Sequence, residues 1–312
     1  MTVDTLATLS DWCFAGAVVV YVLALVLHGA QFAHGRGRVA QRELVAAGNG
    51  VPSSTTNPPS GGTWSATAGR MAVSLTVLGA LVHAASLLLR GLAVHRVPWG
   101  NMYEFGSAIC LAAVVSWLVL LRRHSAPGAG VQRLGVFVLL PIVVLLFTSG
   151  TVLYTRAAPL QPALQSYWIA IHVSAAVIAS GMLLVAGAAS VGYLLRTSGR
   201  GGDLTDRLPA TDVLDRLAYR ATIAAFPVWT FAIITGAVWA ETAWGRYWGW
   251  DPKETVALVA WVVYAGYLHA RATAGWRRGA AWVNVVGLAV MIFNLVFVKL
   301  VVSGFHSYAG VG

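Results

Sequence analysis

The residues with chemistry to offer are one aromatic stretch and eight histidines. Residues 239–254 read WAETAWGRYWGWDPKE and hold four of the chain's thirteen tryptophans, Trp239, Trp244, Trp248 and Trp250, together with Tyr247. The stretch is a polar interruption in a very apolar chain. Aromatic rings at the edge of an apolar segment serve as an interfacial belt at headgroup level, or they form a flat, π-rich wall for a flat, π-rich ligand. Two features favour the second use. The rings crowd into one loop, and histidines fall where helices would bring them to the same face.

His172 lies just inside the end of one apolar segment and His306 just beyond the end of another, both on the face that carries 239–254. A single histidine near a membrane surface is an ordinary polar side chain. Two that flank an aromatic wall suit another task, because neutral imidazole is a common axial ligand of haem iron and aromatic walls accommodate a porphyrin. Spacing alone leaves open whether the two rings face each other. His83 falls near the middle of a span and His269 near the end of another. An ionisable group inside a span is a functional hypothesis by default, although His269 is close enough to the interface to snorkel. His28, His34, His95 and His124 read as solvated.

The acids have a structural use. Asp251-Pro252-Lys253-Glu254 supplies an N-cap, a proline at the first helical position and an acid at the third. The segment from Asn101 to Glu104 repeats that logic, so Asp251, Glu254 and Glu104 read mainly as capping residues. Arg156, Arg246 and Lys253 lie on the face of the aromatic stretch. They suit propionate carboxylates, which arginine binds bidentately, and equally suit lipid headgroups; both uses stay open. Cys13 and Cys110 form no CxxC and sit at different depths, so neither a disulfide nor thiol chemistry is expected.

The elements that must position these groups are membrane helices. The chain has 312 residues, 58% hydrophobic and 10% charged, against about 25% charged in a soluble domain. Segments of about 20 apolar residues match a helical crossing, and lipid obliges the backbone to satisfy itself. The expected architecture is all-α and polytopic, a single integral-membrane domain over 1–312. Eight spans are predicted, near 12–32, 71–94, 102–121, 134–153, 167–195, 221–240, 255–270 and 281–302. Residues 34–70, rich in Gly, Pro, Ser and Thr, read as a flexible loop. Residues 211–220, with Leu214, Leu217, Ala218 and Ala221 on one face, are expected to lie along the membrane surface. Pro227 marks a kink site. Fifteen of the 21 basic residues fall on one side. That side is expected to be cytoplasmic, which puts both termini and the aromatic loop outside. The net charge of +10 is therefore a topology signal and not a nucleic-acid one.

WGRYWGWDPKE resembles the tryptophan-rich WWD signature of haem-handling membrane proteins. With PWGNMYEF, PLQPALQSYWIAIH, LHAR and VSGFHSYA, it makes the chain similar, from about His83 onward, to the CcsA (ResC) type of cytochrome c biogenesis protein. The resemblance implies that His172 and His306 ligate haem at the outer face. It implies that Trp239, Trp244, Trp248, Trp250 and Asp251 belong to the loop that holds it, and that His269 serves an inner haem position. The second ligand there is His83 or a histidine from a partner subunit. The resemblance further implies haem b as a transiently bound substrate and a separate CcsB (ResB) type membrane subunit. An apocytochrome c carrying C-x-x-C-H and upstream thiol-reducing proteins complete the implied set. The implied setting is a bacterial plasma membrane with the active face outside, and the implied role is half of a holocytochrome c synthase that presents haem for thioether formation. Two other readings use the same residues. A haem b electron-transfer subunit would need histidine pairs mid-span on facing helices, where only His83 is clearly placed. A haem exporter without synthase activity would need nothing different.

Overall fold

The computed structural model describes residues 2–34, 61–123, 130–199, 202–273, 276–297, 304 and 306. Eight long helices build these residues, and no strand occurs among them. In chain order they are α1 (Val3–His34), α2 (Gly61–Val94), α3 (Met102–Arg123), α4 (Gly135–Thr151), α5 (Tyr167–Ser198), α6 (Thr211–Trp244), α7 (Pro252–Ala272) and α8 (Arg277–Ile292), the last running into a π-helical turn, Phe293–Phe297. Seven of the eight are long and apolar enough to cross a membrane. The other is α7, whose 21 residues span about 31 Å at 1.5 Å per residue. Its two end turns carry Lys253, Glu254, His269 and Arg271, which lower its mean hydropathy.

Side-chain contacts identify the two ends of the bundle. At one end the start of α1, the end of α2, the start of α3 and the connection after α4 meet in a charge cluster. Arg90 Nε donates to Glu104 Oε1 at 2.8 Å and Arg90 lies 3.5 Å from Asp11. Arg96 Nη1 reaches Glu104 Oε2 at 2.7 Å. Arg90 also donates to the Thr155 carbonyl and Arg96 to the Ala158 carbonyl at 2.9 Å. Arg90 and Glu104 are 1% and 0% exposed. Removing charges from water is costly unless they pair, and here every charge has an opposite neighbour. The cluster fastens the extended segment 152–161, which leads into α5. At the other end the start of α6 meets the end of α7 and the start of α8 through Arg271–Asp215 at 2.6 Å and Arg277–Asp212 at 2.7 Å. Consecutive helices therefore alternate in direction.

Three local expectations change. α2 begins at Gly61, so the last ten residues of the expected loop are helical, while 35–60 lie outside the described residues. Residues 211–220 do not form a separate surface helix. They are the first turns of α6, one helix of 34 residues with Pro227 inside it. No glycine or proline occurs between Thr211 and Phe226 to end the helix, and the Leu214, Leu217, Ala218, Ala221 stripe is buried against protein rather than lipid. His28 is not solvated. It is fully buried, its ring edge-on to Trp117 at 5.2 Å.

The core has two main parts. One joins α1, α3, α4 and α5 around Tyr21, Trp117, Leu139 and Ile142. The other joins α5, α6, α7 and α8 around Leu183, Ala225, Trp229 and Tyr264. α5 serves both because its buried face is mostly Ala, Gly and Ser, and small side chains let membrane helices approach closely.

Candidate functional site

The bundle end that holds the charge cluster also holds a cleft between α3, α5, α6, α7 and the C-terminal segment. Phe105 and Ile109 of α3, His172 of α5, Trp239 and Trp244 of α6, Tyr247 and Trp248 of the loop, Lys253 of α7 and His306 of the tail line it.

His172 lies in the second turn of α5, whose start is capped by Ser166 accepting from Trp168 N at 3.3 Å. Its Nδ1 is 2.7 Å from the Ala232 carbonyl of α6. A carbonyl only accepts, so the proton sits on Nδ1 and the lone pair on Nε2. Gly236, one turn further along α6, makes room for the ring: a Cβ there would stand 2.7 Å from His172 Cε1 and Nδ1. His306 reaches the same tautomer differently. Its Nδ1 is 3.0 Å from Asp251 Oδ2, and a carboxylate acceptor again places the lone pair on Nε2. Burial holds the His306 pKa below the ordinary imidazole value, against the Asp251 hydrogen bond that pulls it up, so the ring is neutral near pH 7. Ligating histidines usually donate their other N–H to a carbonyl or carboxylate, which fixes tautomer and orientation. Both rings have that feature.

Asp251 does two jobs. It caps α7 in a full capping box with Glu254, as the sequence pattern predicts, and it accepts from His306. Its carboxylate lies against Gly304, where a Cβ would come within 2.5 Å of Oδ1.

The tryptophans do not form one flat wall. Trp239 lies within 7° of the His172 ring plane at 6.2 Å, and its centroid is 5.9 Å from that of His306. Trp244 is tilted 66° to Trp239 and lies 5.1 Å from His306. Trp248 and Trp250 are perpendicular. Trp250 does not line the cleft; it is 68% exposed, at a left-handed backbone position with φ 57°. That conformation is held by Glu254 Oε2, which accepts from Gly249 N at 2.9 Å and Asp251 N at 3.1 Å.

Of the three basic residues, Lys253 lines the cleft. Arg246 lies 3.7 Å from Glu254 and over the Trp244 ring at 5.7 Å. Arg156 is exposed on the segment before α5, away from the cleft lining.

His83 and His269 are in different places. His83 is buried in the other half of the bundle, with Nε2 2.7 Å from Ser107 Oγ and Nδ1 3.4 Å from Tyr21 OH. His269 is exposed, in a groove between α7 and α8 lined by Trp276, Trp282 and Val286. His34 and His95 are exposed; His124 lies outside the described residues.

Sequence reasoning passed over Arg90 and Asp215. Arg90 carried a usable signal, as an arginine within an apolar span is rarely there without a partner. Gly236 and Gly304 carried none, since their role depends on what approaches them.

The family model of the cytochrome C assembly protein matches residues 99–306. The CcsA cytochrome c biogenesis protein of Parasynechococcus marenigrum is 35% identical over 264 residues, covering 75% of this chain and 85% of that protein. The CcsA protein of Synechococcus sp. strain RCC307 is 36% identical over 267 residues, covering 77% and 85%. That of Chlamydomonas reinhardtii is 37% identical over 227 residues, covering 71% and 64%. The chain belongs to the cytochrome c assembly protein family.

Proposed function

We propose that this member of the family receives haem b and presents it at the outer membrane face for covalent attachment to an apocytochrome c, as the CcsA-type half of a cytochrome c synthase. The observation that carries the reading is the matched tautomer of His172 and His306 at one aromatic cleft. Two imidazoles with Nε2 lone pairs suit an iron whose equatorial nitrogens arrive with it. Among the described residues no three His, Cys, Asp or Glu converge to hold a bare ion, which fits a porphyrin better than a free metal.

Trp239, nearly parallel to His172 at 6.2 Å and 5.9 Å from His306, would supply an aromatic wall to a haem held by these histidines. Lys253 is placed for a propionate. The protein's part is orientation and exclusion of water; the addition of two cysteine thiols across the two vinyl groups belongs to the reactants. The apocytochrome's own histidine would take the place of His172 or His306 on the iron, which would let the product leave. The arginine-rich side is cytoplasmic in this reading, by the positive-inside rule. Its second haem position lies at His269, with the other ligand from a CcsB/ResB-type partner subunit. His83 is the weaker candidate, because both its nitrogens are engaged within the bundle.

The test is the absorption spectrum of the chain with its partner, reduced and oxidised, for wild type and for His172→Ala with His306→Ala. A low-spin two-histidine spectrum that weakens in the double variant supports the reading. A spectrum that does not change moves the haem elsewhere and overturns it.

A further inference from the structure

α7 has two opposed stripes. Ala260, Tyr264 and Tyr267, three or four residues apart, are buried, and Arg271 continues that stripe. Val259, Val262, Gly266 and His269, spaced in the same way, are exposed. His269 and Arg271 are two residues apart, about 200° around the helix at 3.6 residues per turn. On the inward side Arg271 Nη2 donates to Asp215 Oδ2 at 2.6 Å, and its guanidinium lies over the Tyr219 ring at 5.2 Å. Asp215 is buried, and Arg277 Nε of α8 approaches the same carboxylate oxygen at 3.8 Å. α7 ends one residue after Arg271, in the turn where a helix frays unless side chains hold it.

We infer that the Asp215–Arg271 pair is a positioning device for His269, which sets the rotation of the last two turns of α7 and so aims the imidazole into the groove of Trp276 and Trp282. This rests on the reading of His269 as an inner haem ligand. An apolar contact would bury the same area without direction. A planar guanidinium has fixed donor directions and stacks on an aromatic ring, so it specifies an angle. The ring it stacks on and the acid it bonds both come from α6, so the angle is measured against the helix that carries Trp239 and Trp244 at its far end.

The experiment uses the full chain co-purified with its partner subunit, in a His172→Ala, His306→Ala background so that only the inner haem is read. Arg271→Gln should turn its low-spin spectrum high-spin and weaken haem retention about ten- to a hundredfold, the usual effect of losing a group that orients a metal ligand. Added imidazole should restore the low-spin form. Exchanging the charges, Asp215→Arg with Arg271→Asp, should recover part of it. The same variants with His172 and His306 intact should keep the outer-site spectrum and a monodisperse elution profile. A wild-type low-spin fraction in Arg271→Gln overturns the inference. So does a joint loss of inner signal, outer signal and monodispersity in both the single and the exchanged variants, which would make the pair a plain fold element. If His269→Ala leaves the inner haem unchanged, the reading of His269 fails instead.

Discussion

Asp251→Asn separates the two jobs of one side chain. Asparagine caps a helix about as well as aspartate, so the start of α7 should survive the change. The carboxylate that accepts from His306 Nδ1 at 3.0 Å becomes a neutral amide oxygen. Asp251 is 2% exposed at its side chain, so water does not replace what is lost. A hydrogen bond to a charged group contributes about 1.5–3 kcal/mol net, against about 1 for a neutral one, which leaves a loss of about 0.5–2 kcal/mol. At 1.4 kcal/mol per factor of ten, haem retention at the outer site should fall about two- to thirtyfold. The assay is an absorption titration with haem in a His269→Ala background, with thermal unfolding of the same sample in detergent. Asp251→Ala should lose the cap as well, which costs about 1 kcal/mol of stability. Wild-type haem retention in Asp251→Asn would refute the orienting role. Equal loss of thermal stability in Asn and Ala variants would refute the separation of cap from ligand support.

Gly236→Ala should unseat His172, because the new Cβ would stand 2.7 Å from the ring. Haem retention at the outer site should drop about tenfold while thermal stability holds, since alanine is the better helix former by about 0.5–1 kcal/mol; unchanged retention would count against the packing argument. Glu104→Gln breaks a buried ion cluster and should destabilise by about 3–5 kcal/mol, read as a lower thermal midpoint; an unchanged midpoint would show the cluster to be dispensable. Because His306 titrates below the ordinary imidazole value of 6.5, its lone pair persists as pH falls through that value. The outer low-spin spectrum should therefore be flat down to 6.5 and lost only in more acid solution. Loss already above that pH would contradict the neutral-ring assignment.

Seven of the eight helices were legible as long apolar runs and α7 by its capping box, and the arginine pattern separated the two ends. The capping box at Asp251 was legible because it is local: three residues of the right type at the right spacing. α6 was misread at its start because an amphipathic stripe looks the same whether it faces lipid or a protein groove. Leu214 and Leu217 face protein, which only tertiary packing decides. His28 was assigned to solvent from its place near a span end, yet it is sealed by Trp117 from a helix more than eighty residues away in the chain. Ring directions at His172 and His306 were not legible at all. They depend on the Ala232 carbonyl and the Asp251 carboxylate, partners distant in sequence.

Those two partners belong to one hairpin. Ala232 lies on α6 and Asp251 caps α7, with the tryptophan-bearing turn between them, so a single unit orients both imidazoles. α6 is 34 residues long, about 51 Å, and exceeds a hydrocarbon core of about 30 Å. It carries Trp239 and Trp244 at one end and Asp215 at the other, while α7 runs back from Asp251 to His269. Any rotation of α6 relative to α5 therefore moves the Ala232 carbonyl away from His172 at one end and the Asp215 carboxylate at the other. The charged contacts lie where they oppose this: Arg271 and Arg277 hold the start of α6, and Glu254 closes the turn after its end. That distribution explains why the buried carboxylates of this half, Asp215 and Asp251, sit at helix ends, where an angle must be fixed, while the buried interior of α6 is left to uncharged Ala, Thr and Trp.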